Sequence, residues 1–129
     1  MGYQSWIDKA NENLIVAEWS HAQGHVNACA NRVYYAMFHA AIAALIKNQI
    51  LPPEDKFGHE WVQSNFAGQL IHRRKIIAAK FRRYLADAHW VRKAADYEPN
   101  PVRKKAVTNE LIKARELCAL IQQEIIHDA

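Results

Sequence analysis

The chain has 129 residues, half of them hydrophobic, and a formal net charge of +4 at pH 7. That length suits a single domain over residues 1–129, able to bury about two thirds of its unfolded surface. No run reaches the ~18 apolar residues of a membrane span, since the longest, Met37 to Ile46, is broken by His39.

Asp8, Glu12 and Asn13 come too early for a secretory signal. The two isolated cysteines, Cys29 and Cys118, form neither a metal spacing nor a disulfide framework. The expectation is a cytoplasmic protein without cofactor, metal or membrane association.

Ser5-Trp6-Ile7-Asp8 has the form of a capping box, and Trp6, Ala10, Leu14 and Ala17 recur at helical period behind it. Gly24 supplies the break. A second helix is expected from Val26 to about Asn48, with Val26, Ala30, Val33, Met37, Ala41 and Ala44 on one face. Tyr34, Phe38, Ile42 and Leu45 widen that face, which implies more than one partner helix. Pro52-Pro53 ends the region.

A shorter helix is expected around His59 to Leu70. The next begins near Arg73 or Arg74 and turns Ile77, Phe81, Tyr84, Leu85, Ala88, Val91 and Ala95 inward, ending at Glu98-Pro99. Asn100 then fits an N-cap with Pro101 as the first helical position. The last helix aligns Val107, Leu111, Ala114, Cys118, Ile121 and Ile125. The pattern is all-α: an antiparallel up-and-down four-helix bundle with an additional short helix.

Charge is unevenly placed. Arg73 to Lys105 holds eleven Lys or Arg against Asp87, Asp96 and Glu98, a local +8, and the remainder is at −4. Such a concentration is the electrostatic footprint of a polyanion partner, or else a solvated basic face.

Two polar constellations interrupt the apolar faces. Asn31, Tyr35 and His39 are four apart and share one stripe of the second helix. Arg92 and Asp96 are also four apart and can pair, with Tyr97 beside them at a helix end. These residues either stitch two helices together or line a cleft for an anion or nucleotide. In the second case Arg92 is the anchor, because its planar fork matches phosphate.

The segments NRVYYAMFHAAIAALI (Asn31 to Ile46) and RKAADY (Arg92 to Tyr97) resemble those of the HEPN family, the higher eukaryote and prokaryote nucleotide-binding domains. The likeness is to small members reading roughly N-R-x-Y-Y-A-x-F-H and then R-x-x-x-D-Y. The resemblance implies a dimeric helical bundle. Many such proteins are metal-independent endoribonucleases, often toxins paired with a minimal nucleotidyltransferase antitoxin.

Their signature is an Arg, four to six intervening residues, then a His. From Arg92 that window closes on Pro99 without a histidine, and Asp96 and Tyr97 stand there instead. Arg82 and Arg83 do precede His89 with six and five residues between them.

The reading is therefore a HEPN-like homodimer that binds RNA or a nucleotide through its basic fourth helix, with Asn31, Tyr35, His39, Arg92, Asp96 and Tyr97 lining the site. Tyr97 is then a candidate nucleotidyl acceptor from the antitoxin. The alternatives are an endoribonuclease using Arg82 or Arg83 with His89, and a non-catalytic dimeric interaction module.

Overall fold

The computed structural model describes residues 2–126. Five α-helices account for the architecture: α1 (Gln4–Ala22), α2 (Val26–Lys47), α3 (His59–Asn65), α4 (Tyr84–Tyr97) and α5 (Lys104–Leu120). Helices α1, α2, α4 and α5 form the antiparallel bundle, and α3 is the additional short helix.

Helix α2 lies at the centre and packs against α1, α4 and α5. Its sequence explains the placement. Ala36, Ala40, Ala41, Ala43 and Ala44 are fully buried and bring neighbouring backbones close, while Met37, Ile42 and Leu45 fill the space between them. Cys29 and Cys118 belong to this core, and burial pushes their thiols up to about 11 and about 12. These are inert packing groups.

The direction of the chain can be read from pairs across the seams. Asn11 bonds Gln122, Arg115 pairs with Glu18, and His21 lies 2.7 Å from Thr108 Oγ1, so α1 and α5 run in opposite senses. Gly24, at φ +79°, makes the left-handed turn between α1 and α2. Among the described residues no helix is long and apolar enough to cross a membrane.

Three helix starts differ from the sequence expectation. Helix α1 opens at Gln4 with Tyr3 at the N-cap and no side-chain cap. Ser5 lies inside the first turn, and Asp8 accepts instead from the Gln4 amide at 3.0 Å.

The fourth helix begins at Tyr84, about ten residues late. A π-helical turn (Phe66–Arg73) extends α3, an irregular stretch follows, and a 3₁₀ turn (Ala79–Phe81) leads into α4. The Ile76 and Ile77 N–H groups both donate to the Leu70 carbonyl (2.8 and 3.1 Å), and Lys75 takes φ +53°. Ile77 and Phe81 are thus buried at helical spacing without a helix. Helix α5 begins at Lys104, with Arg103 rather than Asn100 at its cap.

The delayed start redistributes the basic charge. Arg73, Arg74, Lys75, Lys80, Arg82 and Arg83 lie ahead of α4, and Arg103, Lys104 and Lys105 lie beyond it. Fourteen helical residues, about 21 Å, separate the two groups. Within α4 itself only Arg92 and Lys93 are cationic. The basic run is contiguous in sequence and split in space.

Candidate functional site

The Asn31 stripe of α2 meets the second half of α4. Arg92 Nε donates to Asp96 Oδ2 at 3.0 Å, as the four-residue spacing requires. Asn31 Nδ2 reaches the same carboxylate from α2, at 3.3 and 3.4 Å from its two oxygens. Both Arg32 and Arg92 lie over the Tyr35 ring, each guanidinium carbon 5.3 Å from its centroid. Arg92 also lies 5.6 Å from the Tyr34 ring. Two cations thus share one aromatic face system, an arrangement that concentrates positive charge on a rigid platform.

Behind this platform the network runs into α1. Arg32 donates through Nε and Nη2 to Asn31 Oδ1 and through Nη1 to Asn13 Oδ1 (2.7 Å). Asn13 Nδ2 in turn donates to His39 Nδ1 at 3.1 Å. Burial, reinforced by Lys9 and Arg32, lowers the His39 pKa to about 4. His39 is a neutral acceptor at the inner end of the chain, 5.4 Å from the Trp6 ring.

Of the residues picked out by sequence, Asn31, Tyr35, Arg92 and Asp96 come together directly, and His39 joins through Asn13 and Arg32. Tyr97 does not join them. It is 73% exposed and, with Trp90 at 76%, lines a separate groove of about 330 Å³ that also contains Lys93, Ala94 and Glu98. Arg82 and Arg83 stand apart from His89: both are exposed, and Arg83 pairs with Asp87 at 3.4 Å. His25 packs against Trp19 at 5.8 Å, and among the described residues no group of three His, Cys, Asp or Glu could hold a metal.

The residues that sequence reasoning passed over are His59 and Gln63 of α3. Gln63 Nε2 donates to Tyr34 Oη (3.2 Å) and to His89 Nδ1 (2.7 Å), while Tyr34 Oη donates to His59 Nδ1 (2.7 Å). The imidazoles of His59 and His89 stack at 5.2 Å with planes 21° apart, and His89 stacks on Tyr34 at 4.8 Å.

Because Nδ1 accepts in both rings, the neutral form of each carries its proton on Nε2. Burial comes first in holding both below the ordinary histidine value, and the Arg92 charge adds to it. The available signal was local: His59 and Gln63 are four apart on one helix face behind Gly58.

The polar cluster is therefore a composite of α2, α3 and α4, with two guanidiniums, one carboxylate and two neutral imidazoles around paired tyrosines. An all-α bundle with a cationic, aromatic polar cluster between its helices is the class that fold and geometry define. The HEPN domain family matches residues 3–125, and the chain belongs to that family. It is 27% identical over 106 residues to a protein of Methanocaldococcus jannaschii named "Putative toxin MJ0142", an alignment covering 82% of this chain and 69% of that protein. No solved structure matches at the same level of significance.

Proposed function

We propose that this HEPN protein binds RNA or a nucleotide through the α2–α4 cleft, with Arg92 as the phosphate anchor, and serves as the toxin-like member of a pair with a nucleotidyltransferase. The observation that carries the reading is the placement of two guanidiniums over Tyr35. A stitch between helices needs one cation for one carboxylate, whereas here Arg92 pairs with Asp96 and Arg32 stands over the same ring with no carboxylate among the described residues.

The surroundings support it. Lys104 and Lys105 open α5, preceded by Arg103 and with no acidic residue in the first turn. Cations at a helix N-terminus oppose the helix dipole, at about 0.3–1 kcal/mol each, so helix stability does not account for them. They are further cations available to a polyanion.

Fluorescence anisotropy with single-stranded RNA tests the reading. Arg92→Gln is expected to weaken binding about tenfold or more, as loss of a charge-assisted bidentate contact does, and to flatten its salt dependence. Unchanged affinity in a folded variant removes Arg92 as the anchor.

The same name, toxin, is carried over from the relative as a proposal: expression of this chain is expected to slow growth, relieved by the cognate nucleotidyltransferase. Tyr97, exposed at the end of α4, is the proposed nucleotidyl acceptor, its phenol oxygen displacing pyrophosphate from ATP. Undiminished labelling of Tyr97→Phe sinks that assignment. The exposed Trp90 is the proposed homodimer contact, read by whether Trp90→Ser shifts the mass in light scattering.

The His59–His89 stack favours a second reading, metal-independent cleavage of RNA. In it the 2′-hydroxyl attacks its own phosphate and loses its proton to water, the 5′-oxygen departs as the alcohol on taking a proton from water, and the Nε2–H groups of the two imidazoles donate hydrogen bonds to the phosphorane oxygens. Arg92 would steady the phosphorane charge. Cleavage of an RNA pool in EDTA, abolished by His59→Ala in a folded protein, is the expected outcome. Absence of any wild-type cleavage leaves the protein a binder.

A further inference from the structure

Between α1 and α2, with Asp96 of α4 at its rim, lies an open groove of about 390 Å³, lined by Ser20, Asn27, Asn31, Arg32 and Asp96. Three features of this groove are unexplained by packing. First, Arg32 is a half-buried guanidinium with no carboxylate within ion-pair distance among the described residues. Its side-chain partners are the neutral carbonyl oxygens of Asn13 and Asn31 and the Tyr35 ring.

Second, three of its five N–H donors are engaged by those bonds, which leaves two unspent. Third, the Ser20 hydroxyl lines the same groove and makes no hydrogen bond to another described residue. The Ser20 hydroxyl and the two remaining Arg32 N–H groups are thus donors facing one groove. An anion seated between them would satisfy both.

We propose that this groove is a phosphate subsite anchored by Arg32, distinct from the Arg92 anchor. It rests on the reading of the cleft as polyanion-binding, and it adds a second, independently tested contact. The ligand chemistry is a phosphoryl oxygen: two accept from the free N–H groups of Arg32, and one accepts from Ser20.

Asp96 is the carboxylate on the rim, and its charge is already taken up by Arg92 and Asn31. Asn31 joins the two anchors, since its Oδ1 accepts from Arg32 while its Nδ2 donates to Asp96. With both guanidiniums on the Tyr35 ring, one strand can place one phosphoryl group at each.

The test uses the full chain with ¹⁵N-labelled arginine, titrated with inorganic phosphate. The Arg32 Nε–H resonance, assigned with Arg32→Lys, is expected to shift and saturate. Affinity is then compared for a 5′-phosphorylated and a 5′-hydroxyl tetranucleotide in wild type, Arg32→Gln, Ser20→Ala and Arg92→Gln.

Arg32→Gln is expected to weaken binding about tenfold and Ser20→Ala by a few-fold. A loss confined to the 5′-phosphorylated strand assigns the groove to a terminal phosphate, and an equal loss on both assigns it to an internal one. Phosphate that moves the Arg92 resonance and not that of Arg32, with affinity kept in Arg32→Gln and Ser20→Ala, overturns the subsite and leaves the Arg92 anchor standing. Losses in Arg32→Gln and Ser20→Ala with none in Arg92→Gln do the reverse.

Discussion

Helix α4 contributes to two polar clusters that differ in how their charges are balanced. Toward α5, Lys80 pairs with Glu116, Lys113 lies 3.1 Å from Glu110 and 3.7 Å from Asp87, and Arg83 also reaches Asp87. Tyr84 Oη donates to Glu116 at 2.8 Å. Every cation there has a carboxylate.

Toward α2, Asp96 serves Arg92 and Asn31 together, Arg32 has no carboxylate among the described residues, and two histidines are held neutral. The first cluster is a closed set of ion pairs that fastens α4 to α5. The second is open, with positive charge to spare. Balance distinguishes a fastening from a site more sharply than polarity does.

The largest effect is expected where the open cluster is anchored in the core. Tyr34 is fully buried between Phe38, His59 and His89. Tyr34→Ala should lower stability by about 3–5 kcal/mol in urea denaturation; a cost below about 1 kcal/mol would mean that the ring is not the pillar of the cleft.

Removing the hydroxyl alone sharpens the contrast. Tyr34→Phe strands His59 Nδ1 and should cost about 1–2 kcal/mol. Tyr84→Phe leaves Glu116 still held by Lys80 and should cost under about 0.5 kcal/mol.

The histidines give the comparison a pH signature. His39, His59 and His89 are all held below 6.5 in the folded protein, His39 at about 4. The unfolded chain binds protons first as pH falls below 6.5, so stability present above that value is lost on the way down toward pH 4. Glu110 of the other cluster is raised by burial and works in the opposite sense at acid pH. Thermal melts between pH 7.5 and 4.5 should therefore fall in wild type and fall less in His39→Gln. An identical profile in both would contradict the neutral His39 at the inner end of the network.

Much of this fold is legible in the sequence because α2 and α5 obey a single period over long stretches, and no tertiary constraint competes with it. The Arg92–Asp96 pair and the Asn31–Tyr35 stripe are legible for the same reason, being i,i+4 relations within one helix. The start of α4 is not. Ile77, Phe81 and Tyr84 imitate helical spacing, but the first two are buried from turns that satisfy their backbone groups on the Leu70 carbonyl and in the Ala79–Phe81 3₁₀ turn.

The capping box fails because the helix opens one residue before Ser5. His59 and Gln63 were invisible as site residues because their partners, Tyr34 and His89, lie 25 to 29 positions away. Only the packing of α3 across α2 and α4 creates that relation. Tyr97, adjacent to Asp96 in sequence, turns away because successive helical positions are about 100° apart.

The central claim is that the open cluster, and not net charge, takes up the polyanion. The most direct measurement is a charge-matched comparison by anisotropy with single-stranded RNA: Arg92→Gln in the open cluster against Arg115→Gln, whose guanidinium is closed by Glu18. Each removes one positive charge. The account predicts about tenfold weaker binding for Arg92→Gln and affinity within about twofold of wild type for Arg115→Gln. Equal losses in both would contradict it, and would make binding a property of the overall charge.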